Sequence, residues 1–205
     1  MLTRLPGAEV IIGSRDGGTV RARHGLAFEG TRPLWEVDRC DLICVPGGPG
    51  TAAAMLDEVF IDQVRRLAEG ARYVTSVCTG SLVLGAAGLL KGKRAACHWA
   101  SRQFLEAFGA IPARERVVVD GRIVTGGGVT AGIDFGLTLA AEVAGKAHAE
   151  FIQLSLEYDP KPPFKSGVPW TASDALVERY LKATRTWTDE RRGAVEAAAA
   201  RLKKS

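Results

Sequence analysis

Several features are scarce or missing in this chain of 205 residues, and each absence excludes something. The four cysteines, Cys40, Cys44, Cys78 and Cys97, fall at no framework spacing, so a disulfide scaffold is not expected. No charged-then-apolar leader opens the sequence, which fits a reducing cytoplasm better than secretion. No apolar run is long enough to span a bilayer, the most apolar windows being broken by glycine, arginine or lysine. There is no internal repeat and no low-complexity tract. Gly126-Gly127-Gly128 does not match a dinucleotide fingerprint, and no segment offers the lysine and hydroxyl of a phosphate loop, so no nucleotide cofactor is indicated. Cys97-His98 has no second pair at ligand spacing, which argues against a metal site. The formal net charge of +4 does not imply nucleic-acid binding. The basic residues are dispersed, the densest group, Arg201-Leu202-Lys203-Lys204, reads as a solvated helix end, and no readout module is present.

What is present is enough for a sizeable core. With 46% hydrophobic residues, the chain reads as a single domain over 1–205, of which about 173–205 form a C-terminal helical extension. Apolar strands alternate with helical patterns, the signature of crossover units and a mostly parallel sheet covered on both faces, so the class is α/β. Residues 41–45 read as a buried strand in which Cys44 is packed, followed by Pro46-Gly47-Gly48-Pro49-Gly50 and a helical stretch that Thr51 caps and Gly70 ends. Residues 73–77 read as the next buried strand and 78–87 as a short helix closed by Gly88. A helix is expected over 99–108. A hairpin follows in which 117–119 and 122–125 flank Asp120-Gly121 as a type I′ turn. Further helices are expected over 130–144 and 148–158. Three prolines make 160–164 extended, and a helical pattern from Ser173 to Lys204 carries a break and new cap at Thr188 and Asp189.

The most informative position is Cys78. A β-rich stretch stops at this thiol, and Ser76 and Gly80 flank it in a small-x-Cys-x-small pattern. A sharp strand-to-helix turn requires small flanks, because larger side chains would collide across it. At such a nucleophile elbow the sulfur faces free backbone N–H groups and the positive end of a helix, which favour thiolate over thiol. The alternative is that free cysteine fills space as a small apolar residue. Cys40, Cys44 and Cys97 read that way.

In an open parallel sheet, ligands bind at the carboxyl ends of the strands, and three glycine-containing loops fall there, at 46–50, 78–80 and 126–128. Gly47, Gly48 and the amide of Thr79 could stabilise negative charge on a substrate attacked by Cys78, or the glycines only make turns. His98 is either a general base for Cys78 or a packed or capping residue beside Trp99. Thr130 offers a hydroxyl to the site or caps a helix, and Asp134 stabilises the first turn of that helix.

Four segments together resemble the DJ-1/PfpI superfamily: Asp41-Leu42-Ile43-Cys44-Val45-Pro46-Gly47-Gly48, Val74-Thr75-Ser76-Val77-Cys78-Thr79-Gly80-Ser81, His98-Trp99, and Thr125-Gly126-Gly127-Gly128-Val129-Thr130-Ala131-Gly132-Ile133-Asp134. Within it the sequence is most similar to the branch that hydrates isocyanides, as is Leu156-Glu157-Tyr158-Asp159-Pro160 leading into Pro162-Pro163-Phe164. The resemblance implies a flavodoxin-like three-layer α/β sandwich, a homodimer and no cofactor. It also implies hydration of a small organic isocyanide to an N-substituted formamide through a covalent thioimidate. By the same resemblance Cys78 is the nucleophile and Thr79 lies beside it, Gly127, Val129 and Thr130 line the pocket, and His98 stands close without being the base.

One departure accompanies the resemblance. The family begins with a core strand and a helix whose carboxylate handles protons at the cysteine. Here Met1-Leu2-Thr3-Arg4-Leu5-Pro6-Gly7 resembles the tail of that helix, and residues 8–12 read as the following strand. Glu9 and Asp16 fall too late to inherit the carboxylate's role, so the N-terminal strand and helix, and with them the acid/base group, are expected to be lacking. The competing expectations are therefore an inactive relative, an oxidation-sensing or glyoxalase- or deglycase-like protein, and a ligand-sensing module related to AraC-type regulators. For the last, the tail is too short and too charged to supply a helix-turn-helix domain.

Overall fold

The computed structural model describes residues 1–22 and 25–204. Its centre is a four-stranded sheet in the order β4 (Leu42–Val45), β5 (Tyr73–Val77), β9 (Ile123–Gly126), β8 (Val117–Asp120). The first three are parallel, with Cys44 beside Thr75 and Thr75 beside Val124, and β8 closes one edge antiparallel to β9. Val74, Thr75 and Ser76 are fully buried, as a strand must be when layers cover both faces of a parallel sheet.

One layer is made by α1 (Thr51–Leu56), α2 (Glu58–Gly70), α3 (Gly80–Ala86) and α7 (Arg185–Leu202). Met55, Ile61, Val64, Leu82, Leu84 and Val195 join Val45 and Val74 in the main core there. Apolar positions on α2 recur at helical spacing, Ile61, Val64, Leu67 and Ala68, and all four are buried. The other layer is α4 (Ala131–Ala144), whose Phe135 and Leu139 meet Val124, and α5 (Lys146–Ser155), which packs on it through Ala140, Ala149 and Ile152. The fold is therefore the flavodoxin-like three-layer α/β sandwich. A second small sheet, β1 (Gly13–Ser14), β3 (Ala27–Pro33) and β2 (Gly18–Arg21), stands apart, and β6 (Arg94–Ala95) pairs with β7 (Ile111–Pro112). The remaining helix is α6 (Asp174–Ala183). Among the described residues no helix is long and apolar enough to cross a membrane.

Several local expectations need correction. The helical stretch from Thr51 to Gly70 is two helices, divided at Asp57, whose carboxylate accepts the Phe60 N–H at 3.0 Å. A side-chain cap outweighs continuous propensity there, contributing about 1 kcal/mol. The hairpin pairs Asp120 with Ile123, so its central residues are Gly121 and Arg122, with positive φ at Gly121 alone (62°). Positive φ confined to the first central position is the type II′ pattern, not type I′. Residues 99–108 give a 3-10 turn over Arg102–Phe108 instead of an α-helix.

Residues 8–12 form no strand. Ile12 accepts a hydrogen bond from the Arg32 amide at 2.9 Å, and Val10, Ile11 and Ile12 are exposed. Cys44 is exposed as well, because β4 is an edge of the central sheet and among the described residues no further strand lies beyond it. The break in the C-terminal helical region falls at Thr184, between α6 and α7. At Thr188 the hydroxyl bonds back to the Thr184 carbonyl at 3.0 Å, a contact the helix tolerates, so that threonine caps nothing.

Candidate active site

Cys78 is the turn between β5 and α3, with φ of 61°. Left-handed backbone is costly for a residue with a Cβ and persists only where the surroundings fix it. Here the Cys78 amide donates to the carbonyls of Gly126 (3.0 Å) and Gly127 (2.8 Å), which ties the elbow to the end of β9. The small flanks have specific causes. A Cβ on Gly80 would lie 2.1 Å from the Val45 carbonyl oxygen. Ser76 and Ser81 hydroxyls meet at 2.9 Å, and Ser81 donates to the Ala96 carbonyl at 2.6 Å.

The loop after β4 closes over the elbow. A Cβ on Gly47 would fall 2.7 Å from the Thr79 amide nitrogen and 2.8 Å from the Cys78 Cβ. The Gly48 amide donates to Thr79 Oγ1 at 3.0 Å, and Thr51 Oγ1 donates to the Gly48 carbonyl at 2.9 Å. Gly48's N–H is therefore used in orienting Thr79 and is not free for a substrate. Gly127's N–H is likewise occupied, by the Arg116 carbonyl at 2.8 Å.

The Cys78 sulfur is half-buried, and burial is the largest influence on it, pushing the thiol above its ordinary range. Thr79, through its backbone N–H and then its hydroxyl, pulls the other way, as does the charge of Arg191. Against the expectation that the elbow alone favours thiolate, desolvation outweighs these donors and holds the thiol above its ordinary range. No carboxylate acts on this sulfur among the described residues.

Around the elbow stands an aromatic group. His98, Trp99 and Tyr180 of α6 form a triangle of rings, with centroids 5.9 Å apart for His98 and Trp99, 6.2 Å for His98 and Tyr180 and 5.0 Å for Trp99 and Tyr180, and the His98 ring approaches Gly128. The Ala100 amide donates to His98 Nδ1 at 3.3 Å, which assigns the proton to Nε2. Burial and then Arg191 hold His98 below its ordinary value, so it is a neutral ring. Cys97 is buried and its thiol is driven well up, in keeping with a space-filling residue.

The remaining expected residues diverge. Val129 is 79% exposed and faces solvent. Thr130 precedes α4 without a side-chain capping bond and accepts from Arg116 at 3.4 Å. Asp134 pairs with Arg116 Nε and accepts the Tyr158 hydroxyl at 2.9 Å, which fixes the 156–160 segment to the start of α4. Tyr180 and Arg191 were not legible as site residues. They arrive from helices a hundred positions after Cys78, and no local motif marks them.

Known proteins resemble this chain along nearly its whole length. The sequence profile of the DJ-1/PfpI family matches residues 2–142. An isonitrile hydratase from Pseudomonas putida is 50% identical over 202 residues, 98% of this chain and 89% of that protein. The crystal structure of a ThiJ/PfpI family protein from Pseudomonas syringae superimposes with a TM-score of 0.89 at 40% identity, covering 96% of this chain and 81% of that one. The deglycase PfpI of Pyrococcus furiosus is 29% identical over 121 residues, 58% of this chain and 73% of that protein.

Proposed function

This chain belongs to the DJ-1/PfpI family, and from that premise we propose that it hydrates a small organic isocyanide to an N-substituted formamide, with Cys78 as nucleophile. The observation that carries the reading is the elbow itself. A half-buried cysteine is held at φ 61° with the Thr79 N–H and hydroxyl acting on its sulfur, in a chain 50% identical to an isonitrile hydratase.

The chemistry follows from those groups. Cys78 sulfur forms a bond to the terminal isocyanide carbon while the thiol proton passes to that carbon, giving a thioimidate, S–CH=N–R. Water then adds to the same carbon, its hydroxyl bonding there and its other proton going to nitrogen. The C–S bond breaks as the hydroxyl proton returns to sulfur, leaving R–NH–CHO and the free thiol. Thr79 steadies negative charge on the sulfur as it enters and leaves, and Gly47 lets the β4 loop approach closely enough to hold Thr79 in place. His98, neutral and stacked, shapes the wall and relays no charge. The resemblance also supports a homodimer, and Phe151 and Leu154, exposed one turn apart on α5, offer apolar surface for it.

The test is incubation of the purified protein with an alkyl and an aryl isocyanide, following formamide by NMR or chromatography. Turnover is expected in the wild type, with a loss of at least about a thousandfold in Cys78→Ser. Because burial holds the Cys78 thiol above its ordinary range, the rate should climb with pH through the neutral range. Absence of formamide together with release of sugar from glycated peptides would replace this reading with a deglycase one.

A further inference from the structure

Among the described residues only two other than glycine have positive φ, Cys78 at 61° and Glu157 at 50°. Strained backbone of this kind persists where its surroundings over-determine it, and it gathers at functional sites. At Glu157 the immediate cause is a helix end. The Glu157 N–H donates to the Leu154 carbonyl at 3.0 Å and the Tyr158 N–H to the Gln153 carbonyl at 3.2 Å, the two bonds of a left-handed cap after α5 in a position that glycine ordinarily takes. The cap turns the chain back, and the Tyr158 hydroxyl meets Asp134 Oδ1 at 2.9 Å in the first turn of α4.

The other oxygen of Asp134, Oδ2, is held by Arg116 Nε, and Arg116 Nη2 reaches Thr130 Oγ1 at 3.4 Å. The main chain of Arg116 bonds the opposite end of the same turn. Its carbonyl accepts the Gly127 N–H at 2.8 Å, and the Gly127 carbonyl in turn accepts the Cys78 N–H at 2.8 Å. One residue therefore braces the turn at 127–130 from both sides, and that turn carries one of the two carbonyls that hold the nucleophile's amide. As a source of stability the bridge is slight: the Arg116 side chain is 52% exposed and that of Asp134 31%, and water screens an ion pair so open. As a source of geometry it is not slight, because a carboxylate with a different donor on each oxygen has one orientation.

We propose that Arg116, Asp134 and Tyr158 are positioning residues that brace the turn at 127–130 against the Cys78 amide and so hold the elbow in its left-handed conformation. This rests on the reading of Cys78 as nucleophile, and it gives the segment that follows α5 a part in the chemistry. With the turn loosened, the Cys78 amide tilts and the sulfur leaves the Thr79 N–H and hydroxyl that act on it. A reacting atom misplaced by about 1 Å costs on the order of a hundredfold in rate, and a brace that is only relaxed costs less. The bridge acts on the sulfur and not on the substrate, so kcat falls and KM does not.

The test pairs turnover with the amide itself. In Asp134→Asn the side chain offers one oxygen and one NH2, so it cannot accept from both Arg116 and Tyr158. With an alkyl isocyanide, kcat is expected to fall about tenfold and KM to stay within about twofold. Hydrogen exchange followed by NMR should quicken about tenfold at the Cys78 and Gly127 amides and stay unchanged at Val74, whose N–H donates to the Arg122 carbonyl at 2.9 Å. Tyr158→Phe removes one partner of Asp134 and should cost about threefold in kcat, and the double variant should be no slower than Asp134→Asn. Unchanged exchange at Cys78 in folded Asp134→Asn overturns the proposal, as does quickening shared equally by Val74, or a raised KM at constant kcat. If Asp134→Asn does not fold, Tyr158→Phe decides on the same readouts. If the wild type turns over no isocyanide, iodoacetamide labelling of Cys78 replaces kcat, followed by peptide mass spectrometry that separates it from exposed Cys44. Labelling slowed at least about threefold in Asp134→Asn, together with the quickened exchange, would leave the brace standing and remove the hydratase reading alone, whereas labelling that is not slowed would overturn the brace as well.

Discussion

The elbow at Cys78 and the small sheet of β1, β2 and β3 are both rich in glycine, yet glycine serves opposite ends in them. At the elbow it permits contact. A Cβ at Gly47 or Gly80 would collide with backbone across the turn, so backbone meets backbone and a thiol is fixed at a strained φ. In and beside the small sheet, Gly13 and Gly17 are packed too, a Cβ on each falling 2.7 Å from the Leu34 and Pro33 side chains, but Gly18 and Gly30 permit curvature: both have positive φ, a Cβ there would meet nothing within 4 Å, and the strands leave Val20 and Phe28 exposed. Glycines that bring backbone against backbone mark the part of the chain that must hold a reacting atom, and open turns such as those at Gly18 and Gly30 mark a part that only has to connect.

The sharpest break of that comparison is Gly80→Ala against Gly30→Ala. The first forces a methyl to 2.1 Å from the Val45 carbonyl oxygen, so either β4 or the elbow moves. A loss on the order of 3 kcal/mol in urea denaturation is expected, with Cys78 labelling altered at every pH. The second adds a Cβ at φ 66° in open space and should cost about 1–2 kcal/mol with labelling unchanged. Equal losses in the two variants would refute the distinction.

A smaller effect is expected where the two regions join. Arg66 of α2 donates to the carbonyls of Leu34 (2.8 Å), Val37 (2.9 Å) and Asp38 (3.1 Å), the connector between β3 and β4. Arg66→Ala leaves those acceptors to find water, at about 2 kcal/mol. Limited proteolysis should then cut first within residues 8–33 while the central sheet stays protected. Cleavage beginning in α2 or α3 would mean that the connector is not the weak joint.

How much of this was legible in the sequence differs between the same two regions. The elbow could be read because its signature is local, Ser76 and Gly80 standing two residues either side of Cys78, although the Val45 carbonyl that keeps Gly80 small belongs to another strand. The loop at 46–50 and the turn at 126–128 could be read because strand ends in a parallel sheet share one rim. Residues 8–12 could not be read from their β-branched composition, since a strand needs a ladder partner and their exposure shows no such cover. Cys44 misled for the same reason, because being apolar does not say which edge of a sheet its strand occupies. Arg191 and Tyr180 were hidden by distance along the chain, where helical periodicity records only that one face of each helix turns inward.

The smallest expected effect links stability to the site. His98 lies below its ordinary value, through burial first and the Arg191 charge second, so folding favours the neutral ring. Its contribution is complete above the unfolded histidine value near 6.5 and is lost as pH falls below that, because the unfolded chain then binds a proton that the folded one resists. His98→Gln should therefore flatten the decline of the urea midpoint between about pH 6.5 and pH 5. The tie to Arg191 makes this more than a burial effect. In Arg191→Gln the decline should also become shallower, because one of the two causes is removed while the ring stays packed against Trp99 and Tyr180. A decline left as steep in Arg191→Gln as in the wild type would mean that burial alone holds the ring neutral.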